Sequence, residues 1–495
     1  MIKNPDPVFR LRPRMVTVGG GLAIAVLAAG WWPLLFLPLG ASHDGRINGR
    51  LGLQVRNFLE NGLSGSDFLA SMAPFSPQPY VHHPPLLNLM QALIGSVFGQ
   101  GEWQLHLIGY LAGLGTVVAL IWLAGELSIG GGATLAALVL VINTPMFWIY
   151  ARLGIGMFIM VVLVALWVRR LRAYGYETGN PYQPYRPVIR STRPASAGLW
   201  LAAAAAAFSS WIGVLLVAAL AGWGLRRPGF RQVSWQMGSA GAIAVLVTLV
   251  WAVTVGDTAE LANHVAIRRQ WPPLSDLVEN YRWFYNTLFP SWFRWLMVPA
   301  LVYAAVDRRT RLPAVSIGVA LGVWTVVNPD SALIHDYWTF PLLVPICLGM
   351  AAGLDRLGST WLVNRDQTTW GQGVRIATAA AVIWLAGTGL LGMDIYREAY
   401  FDVPSEAGRL LREVAPAEGQ RVGWVAEGVD PLPRWVSYYW DLPAEPPGSV
   451  AVDRINPSDL VLVRTDRMPA QLQNGSGPVA VQGRYALFEA GVLAG

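Results

Sequence analysis

Runs of about 20 apolar residues recur along most of this chain, and they constrain its fold more than any other feature. A helix of that length crosses the hydrocarbon core of a bilayer, which is about 30 Å thick. Only 13% of the 495 residues are charged and 54% are hydrophobic, whereas soluble domains carry about 25% charged residues. The sequence therefore predicts a polytopic α-helical membrane protein.

The positions of arginine between the apolar runs predict how the chain crosses the membrane. Arginine and lysine gather in cytoplasmic loops, and the positive segments 3–14, 169–193, 226–231 and 308–311 fall on one side under a single assignment. We predict about eleven transmembrane helices in the inner (cytoplasmic) membrane, with a cytoplasmic N-terminus and an extracytoplasmic C-terminus. The run 86–98 is short for a span and is predicted to lie at the outer interface.

The composition changes near residue 393, after the last apolar run. Charged residues and prolines become frequent, and the alternating segments 421–425 and 459–463 are typical of strands. About a hundred residues suffice for a small α/β domain. We predict a transmembrane domain with two long outer loops, followed by an extracytoplasmic α/β domain: 1–392, with loops 41–102 and 256–291, and 393–495.

Charge and cysteine content exclude two classes of function. The net charge of +6 follows from arginine in cytoplasmic loops, and no basic stripe interleaved with aromatics points to nucleic acid. The single cysteine, Cys347, lies in an apolar run, so neither a disulfide framework nor a thiolate metal site is available. Membrane lipids are the partners that this composition implies.

Polar groups suited to a phosphate and a hydroxyl stand at the outer ends of several predicted spans. Arginine offers a planar fork of donors to a phosphate, and a carboxylate can act as a general base on a hydroxyl. Helix ends on one face of a bundle can converge on one cavity, where such groups would displace a phosphate leaving group by an acceptor hydroxyl. The groups are Asp44, His82, His83, Arg152, Arg268, Arg269, His335 and Tyr337.

Each of these side chains also has a plain structural interpretation. Asp44 alone could be a solvated loop carboxylate. Arg268, Arg269 and His335 could contact lipid headgroups, and the second histidine of the pair 82–83 could serve packing only. The catalytic interpretation depends on these groups coming together.

The order of these motifs resembles GT-C glycosyltransferases, closest to the ArnT-like and protein-mannosyltransferase-like bacterial members. The resemblance covers 14–354 and consists of the acidic residue after the first span, the His-Pro-Pro-Leu segment at 80–86, the Arg152 turn and the His-Asp-Tyr-Trp run at 335–342. It implies a polyprenyl-phosphate-linked sugar as donor, used on the extracytoplasmic face with inversion. The acceptor would be a lipid, a cell-wall glycan or a protein.

The resemblance also implies roles for individual residues. Asp44 matches the acidic residue of the first outer loop and would be the base or an acceptor-orienting group. His82 or His83, Arg152, and His335 with Tyr337 match positions near the donor phosphate.

Two departures separate this chain from those relatives. They often carry a carboxylate a few positions after the arginine, where it assists catalysis or binds a metal, whereas 153–158 contains none. They also often carry a lysine where this chain has Ser209-Ser210-Trp211. No cofactor is predicted, and a divalent metal stays an alternative against which the first departure argues.

Two other functions stay open on the sequence alone. A lipid-sugar transporter or flippase would carry ionisable residues within its spans, whereas the charges here gather at span ends, which favours the enzyme. A non-catalytic GT-C-like assembly partner is the second alternative, and the absence of a second carboxylate is the feature that favours it.

Overall fold

The structure is a computed structural model that describes residues 13–40, 42–76, 78–173, 197–358, 369–414, 422–425, 439, 460–465 and 477–489. The positive segments 3–14 and 169–193 lie mostly outside these residues. The orientation of the chain in the membrane depends on them and stays a prediction.

The described chain is mainly helical, and its α-helices are numbered here in chain order. Four short stretches of other helical geometry occur at Trp32–Phe36, Pro228–Phe230, Asp336–Leu342 and Glu398–Asp402. The α-helices are α1 Pro13–Trp31, α2 His43–Gly65, α3 Leu86–Phe98, α4 Glu102–Glu126, α5 Gly131–Ile142, α6 Pro145–Tyr150, α7 Gly156–Ala173, α8 Ala197–Ser209, α9 Trp211–Leu225, α10 Arg231–Val255, α11 Thr258–Arg268, α12 Leu274–Leu288, α13 Ser291–Val306, α14 Arg311–Val327, α15 Pro329–Ile334, α16 Leu343–Leu357, α17 Thr369–Arg397 and α18 Val403–Glu413.

Four segments in the described ranges are long and apolar enough to cross a membrane. They are Val16–Phe36, Glu102–Glu126, Arg231–Val255 and Tyr337–Leu357. Helices α13 and α14 pass the same test as a pair bent by 115°, and α3, α5, α8 and α9 are shorter apolar helices. These segments confirm a helical membrane-protein fold, and the count of eleven spans stays a prediction.

Helices α4 and α16 form the centre of the bundle. In their apolar stretches 61% and 67% of the residues are buried, against 28% in α10. Helix α10 therefore presents most of its apolar surface outward, where a bilayer would cover it.

Several helices coincide with the predicted runs. Helices α3 and α8 have the bounds predicted from the apolar runs 86–98 and 197–209, and α9 begins one residue before the run 212–225 that is predicted as the next span. The run 133–150, predicted as one span, is instead two helices, α5 and α6. The break falls at Pro145, which has no backbone N–H to continue a helix, and the Thr144 hydroxyl accepts from the Phe147 amide to start α6.

The first outer segment contains a long helix, α2, to which the sequence assigned no structure. Ser42 caps its start, since its side chain accepts from the Gly45 amide. Leu51, Leu53 and Val55 are buried, so α2 packs as a helix although polar residues are numerous along it. Its last turns are kinked at Gly62, where φ is +70°, a conformation that favours glycine.

The C-terminal part contains a four-stranded mixed sheet, as predicted for an α/β region. The strands are β1 Val422–Val425, β2 Leu460–Arg464, β3 Ala480–Gln482 and β4 Tyr485–Glu489, in the order β1-β2-β4-β3. Strands β1 and β2 are parallel and the other pairs antiparallel. Helix α17 runs through the predicted boundary at 392, and the division at that residue stays a prediction.

Helix α18 joins this sheet to the transmembrane part. Its buried side chains share one apolar cluster with β2 and β4 and with Leu39, Leu51 and Leu105 of the transmembrane part. The backbones also approach closely, because a Cβ on Gly408 would collide with the Leu39 carbonyl and one on Gly40 with the Pro404 carbonyl. The C-terminal part therefore packs against the start of α2.

Candidate active site

The carboxylate of Asp44 lies in the first turn of α2, two positions after the capping residue Ser42. Only 9% of Asp44 is exposed. The N-terminus of a helix carries a partial positive charge that stabilises an acidic side chain there. A Cβ on Gly45 would collide with the Gly40 backbone, so glycine allows α2 to begin against the preceding segment.

Three side chains surround the Asp44 carboxylate. Asn48 Nδ2 donates to Oδ1 at 2.9 Å, His106 Nε2 lies 3.1 Å from Oδ2, and Arg152 Nη2 lies 3.9 Å from the same oxygen. Burial raises the pKa of Asp44, but the charges of His106 and Arg152 outweigh it and lower that pKa to about 2. Asp44 is therefore an ionised carboxylate at neutral pH.

His106 is the contact that the sequence analysis missed. It lies near the N-terminal end of α4, is 3% exposed, and its Nδ1 donates to the Leu35 carbonyl at 3.0 Å. The Nε2–Oδ2 contact with Asp44 has an ion-pair distance but not the alignment of a straight hydrogen bond. An ionisable residue inside an apolar run is the signal that could have identified it.

Arg152 reaches Asp44 from the turn between α6 and α7. The turn rests on α4 because Gly109 has no side chain, and a Cβ there would collide with the Arg152 carbonyl. The guanidinium lies over the Phe401 ring at 4.4 Å from the centroid. Its Nε and Nη2 are buried and have no hydrogen-bond partner among the described residues, so the guanidinium retains donors for a ligand.

Four rings gather beside Asp44. The His43 ring lies 5.0 Å from Tyr337 and 6.3 Å from His335, and His335 stacks on Tyr337 at 4.8 Å. Tyr150 lies 6.2 Å from His43. The predicted residues His335 and Tyr337 are thus connected to Asp44 through its neighbour in sequence.

Both histidines of this group are neutral at physiological pH. Burial, followed by the charge of Arg46, lowers the pKa of His43 to about 4. Burial, followed by the charge of His43, lowers the pKa of His335 to about 3. Neutral imidazoles can donate from one nitrogen and accept at the other, which suits contacts with a hydroxyl.

The histidine pair of the first outer loop lies in a second ring group. Tyr80 lies 4.7 Å from His82 and 5.9 Å from His83, and His83 lies 6.2 Å from Trp338. His82 stacks on His264 of α11 at 3.8 Å with an interplanar angle of 17°. Trp338 is 4.7 Å from Tyr337 of the first ring group, so the two groups are continuous.

Cations border the second group. Arg50 of α2 lies over the Tyr80 ring at 4.4 Å. Arg268 lies one helical turn after His264 and pairs with Asp330 Oδ2 at 2.7 Å. Its charge contributes to lowering the pKa of His264, after burial, which is the larger cause.

Arg269 occupies a different position from its neighbour. It lies just after the end of α11 and is exposed. No contact in the described ranges joins its side chain to the two ring groups, so its predicted role in binding the donor phosphate stays a prediction.

The structure thus connects seven of the eight predicted residues in one network, and all six histidines of the chain belong to it. Six members were not among the predicted site residues. Tyr80 and Trp338 lie inside the motifs at 80–86 and 335–342 but carried no predicted role, and the other four are His43, Arg50, His106 and His264.

The residues around Asp44 do not fit a resident metal ion. Within the described part of the chain no three His, Cys, Asp or Glu side chains gather as a metal would require. The oxygens of Asp44 face the amide of Asn48 and the basic side chains of His106 and Arg152. Hydrogen-bond donors and positive charge at these positions repel a cation. We derive no step through a metal.

Comparison with solved structures identifies the architecture. ArnT from Cupriavidus metallidurans in the apo state aligns with a TM-score of 0.50 and 15% identity, covering 94% of this chain and 97% of that one. This chain has the ArnT fold. The structure of the same protein bound to undecaprenyl phosphate aligns with a TM-score of 0.48 and 17% identity over the same shares.

The alignment confirms the ArnT-like fold that the sequence resemblance implies. No family model and no curated protein matches the chain. At this identity the likeness concerns the fold alone, so the function depends on the chemistry of the site.

Proposed function

We propose that this protein is a GT-C glycosyltransferase that moves a sugar from a polyprenyl-phosphate donor to an acceptor hydroxyl on the outer face of the membrane. The observation that carries the proposal is the ionised Asp44 beside Arg152, whose guanidinium has two buried nitrogens that no described residue hydrogen-bonds. A carboxylate next to an unsatisfied guanidinium suits a reaction in which a hydroxyl attacks and a phosphate leaves.

Binding of the donor phosphate is assigned to the cations and imidazoles of the network. Arg152 has free donors beside Asp44, and Arg268 supplies a second guanidinium close enough for its charge to act on His335. A guanidinium binds phosphate oxygens through a planar pair of N–H groups. His82, His83, His335 and Tyr337 would contribute hydrogen bonds, and the apolar outer faces of the helices would accommodate the polyprenyl chain.

In the proposed reaction the acceptor oxygen attacks the anomeric carbon of the sugar. The bond from that carbon to the phosphate oxygen breaks, and polyprenyl phosphate leaves with the electron pair. Attack opposite the leaving group inverts the configuration. Positive charge at Arg152 stabilises the charge that develops on the phosphate.

Asp44 can orient the acceptor hydroxyl or take its proton. Its pKa of about 2 makes it a weak base, because general bases work best when their pKa lies near the operating pH. We therefore assign Asp44 chiefly to orienting the hydroxyl, with the proton passing to the departing phosphate or to water.

The test is transfer by the purified protein in lipid nanodiscs. Polyprenyl-phosphate-linked hexoses and pentoses are offered with lipid, glycan and peptide acceptors, and release of polyprenyl phosphate is measured. The parent is compared with Asp44→Asn and with Glu60→Gln, the same carboxylate-to-amide change at an exposed position on α2. We expect activity in the parent and Glu60→Gln and its loss in Asp44→Asn.

Three results would contradict the proposal or part of it. No release of polyprenyl phosphate from any donor would remove the enzyme function. Movement of an intact donor across the membrane by the parent would support the transporter instead. Equal activity in Asp44→Asn and the parent would remove Asp44 from the site.

A further inference from the structure

His106 contacts Asp44 from inside the apolar bundle. It lies on α4, and its ring spans the gap between the carbonyl of Leu35 and the carboxylate of Asp44. Only 3% of the residue is exposed. It cannot meet a substrate at the water-facing side, so any role in the reaction acts through Asp44.

The two contacts place the ring between a backbone group and the carboxylate. A carbonyl oxygen only accepts hydrogen bonds, so Nδ1 carries the proton that is donated to Leu35. Nε2 lies 3.1 Å from Oδ2 of Asp44, at an ion-pair distance. The ring therefore bridges the Leu35 carbonyl and the Asp44 carboxylate.

The ring at this place restricts the orientation of Asp44. Asn48 holds Oδ1 through a hydrogen bond. His106 holds Oδ2, the same oxygen that faces Arg152. With one group on each oxygen, the carboxylate plane is fixed and the Arg152 guanidinium is balanced by a full negative charge.

We propose that His106 is a positioning residue, which links Asp44 to the backbone at Leu35 and holds its carboxylate beside Arg152. The functional consequence rests on the proposed glycosyl transfer. The contact between the ring and the carboxylate does not, so the two can be tested separately.

Two substitutions separate the contacts of the ring. In His106→Asn the amide nitrogen stands near the place of Nδ1, which preserves the bond to Leu35 and removes the contact with Asp44. In His106→Gln the amide nitrogen stands near the place of Nε2, which preserves a neutral donor towards Asp44. Thr116→Val is the control, because Thr116 is equally buried on α4 and its hydroxyl donates only within that helix, to Ala112.

For transfer we expect a loss that follows the Asp44 contact. Loss of a group that orients a reacting side chain typically lowers activity about 10- to 100-fold, so kcat of His106→Asn should fall in that range while the KM for the donor stays within about twofold. His106→Gln should retain more activity than His106→Asn, and Thr116→Val should match the parent. Parental kcat in His106→Asn, or equal losses in the Asn and Gln variants, would overturn the positioning role.

Nitrogen-15 NMR of histidine-labelled protein tests the contact between the ring and Asp44 without any substrate. The six histidines give a small set of ring signals, and the signals missing from His106→Asn identify His106. We expect the Nε2 signal of His106 to shift in Asp44→Asn and to stay in place in Glu60→Gln. A His106 signal that is the same in the parent and in Asp44→Asn would overturn the inference, whether or not the protein transfers sugar.

Discussion

The guanidinium of Arg152 lies over the ring of Phe401, with Cζ 4.4 Å from the ring centroid. Phe401 belongs to the segment that leads into α18, so this contact joins the C-terminal part of the chain to Asp44. A buried cation–π contact contributes about 2 kcal/mol. We expect Phe401→Leu to lower transfer by roughly 10-fold, because an untethered Arg152 no longer holds its place beside Asp44.

Two further variants make this prediction specific. Phe401→Tyr preserves the aromatic face and should retain most of the parental activity. Phe488→Leu removes a buried ring from β4, outside the described contacts of Arg152, and should affect stability more than kcat. If Phe401→Leu transfers sugar as fast as the parent, the ring does not position Arg152.

Helices were predictable from the sequence wherever an apolar run ended in a clear break. Helix α8 ends at Ser209 and α9 begins at Trp211. Ser210 lies between them, and its side chain accepts from the Gly213 amide at the start of α9. Helix α2 was not predictable in this way, because its buried leucines are interspersed with arginine and asparagine. Two of its polar side chains, Gln54 and Asn57, form hydrogen bonds with residues outside the helix, which no local pattern contains.

The site was predictable in its residue types but not in its connections. Asp44 and Arg152 are 108 positions apart, and their approach depends on Gly109 admitting the Arg152 turn against α4. The role of His106 depends on the carbonyl of Leu35, a backbone group without any sequence signature. Such contacts follow from packing, and packing is decided by the whole chain.

Stability should fall as pH is lowered, because of His43 and His335. Their pKa values in the folded protein are about 4 and about 3, against 6.5 in the unfolded chain. Below about pH 6.5 the unfolded chain binds protons that the folded protein does not, so the free energy of unfolding decreases as pH falls. Asp44, lowered from 3.8 to about 2, acts only at more acidic pH.

The measurement is the apparent Tm in nanodiscs between about pH 7 and about pH 5. This is the upper part of the pH interval in which the two histidines bind protons in the unfolded chain but not in the folded protein. We expect His335→Gln to reduce the slope of Tm against pH, since the glutamine does not titrate. Tyr337→Phe alters the same ring group without removing a group that titrates in this interval, and it should leave the slope unchanged. An unaltered slope in His335→Gln would contradict the prediction.

The ion pair between Arg268 and Asp330 should couple α11 to α15. Arg268 Nη1 lies 2.7 Å from Asp330 Oδ2, and the two side chains are 24% and 26% exposed. An ion pair in this partly buried position contributes about 1 kcal/mol. We expect a coupling of that size in a double-mutant cycle of Arg268→Ala and Asp330→Ala, measured from stability.

Donor kinetics distinguish the two partners of this ion pair. The KM for the donor should rise more in Arg268→Ala than in Asp330→Ala, because only the first removes a positive charge assigned to the phosphate. Arg282→Ala, an exposed arginine on α12, is the control for loss of charge and should match the parent. Additive stabilities, or equal KM values in the two single variants, would contradict this account of Arg268.

The close approach of α18 to the start of α2 should not tolerate a methyl group at Gly408. A Cβ there would collide with the backbone carbonyl of Leu39, and backbone cannot rotate away as a side chain can. Alanine is favoured over glycine within a helix by about 1 kcal/mol, so propensity alone predicts that Gly408→Ala stabilises. We expect the opposite sign, with a loss of roughly 1–3 kcal/mol from overpacking.

Gly392→Ala is the matched control, because Gly392 also lies within a helix, α17, and a Cβ there would meet nothing within 4 Å. The apparent Tm should fall in Gly408→Ala and stay level or rise in Gly392→Ala. Displacement of α18 would also move Phe401 away from Arg152, so the kcat of Gly408→Ala should fall together with its Tm. Equal Tm values in the two glycine variants would mean that α18 is not seated on Leu39, and the connection from the C-terminal part to Asp44 would then lose its structural basis.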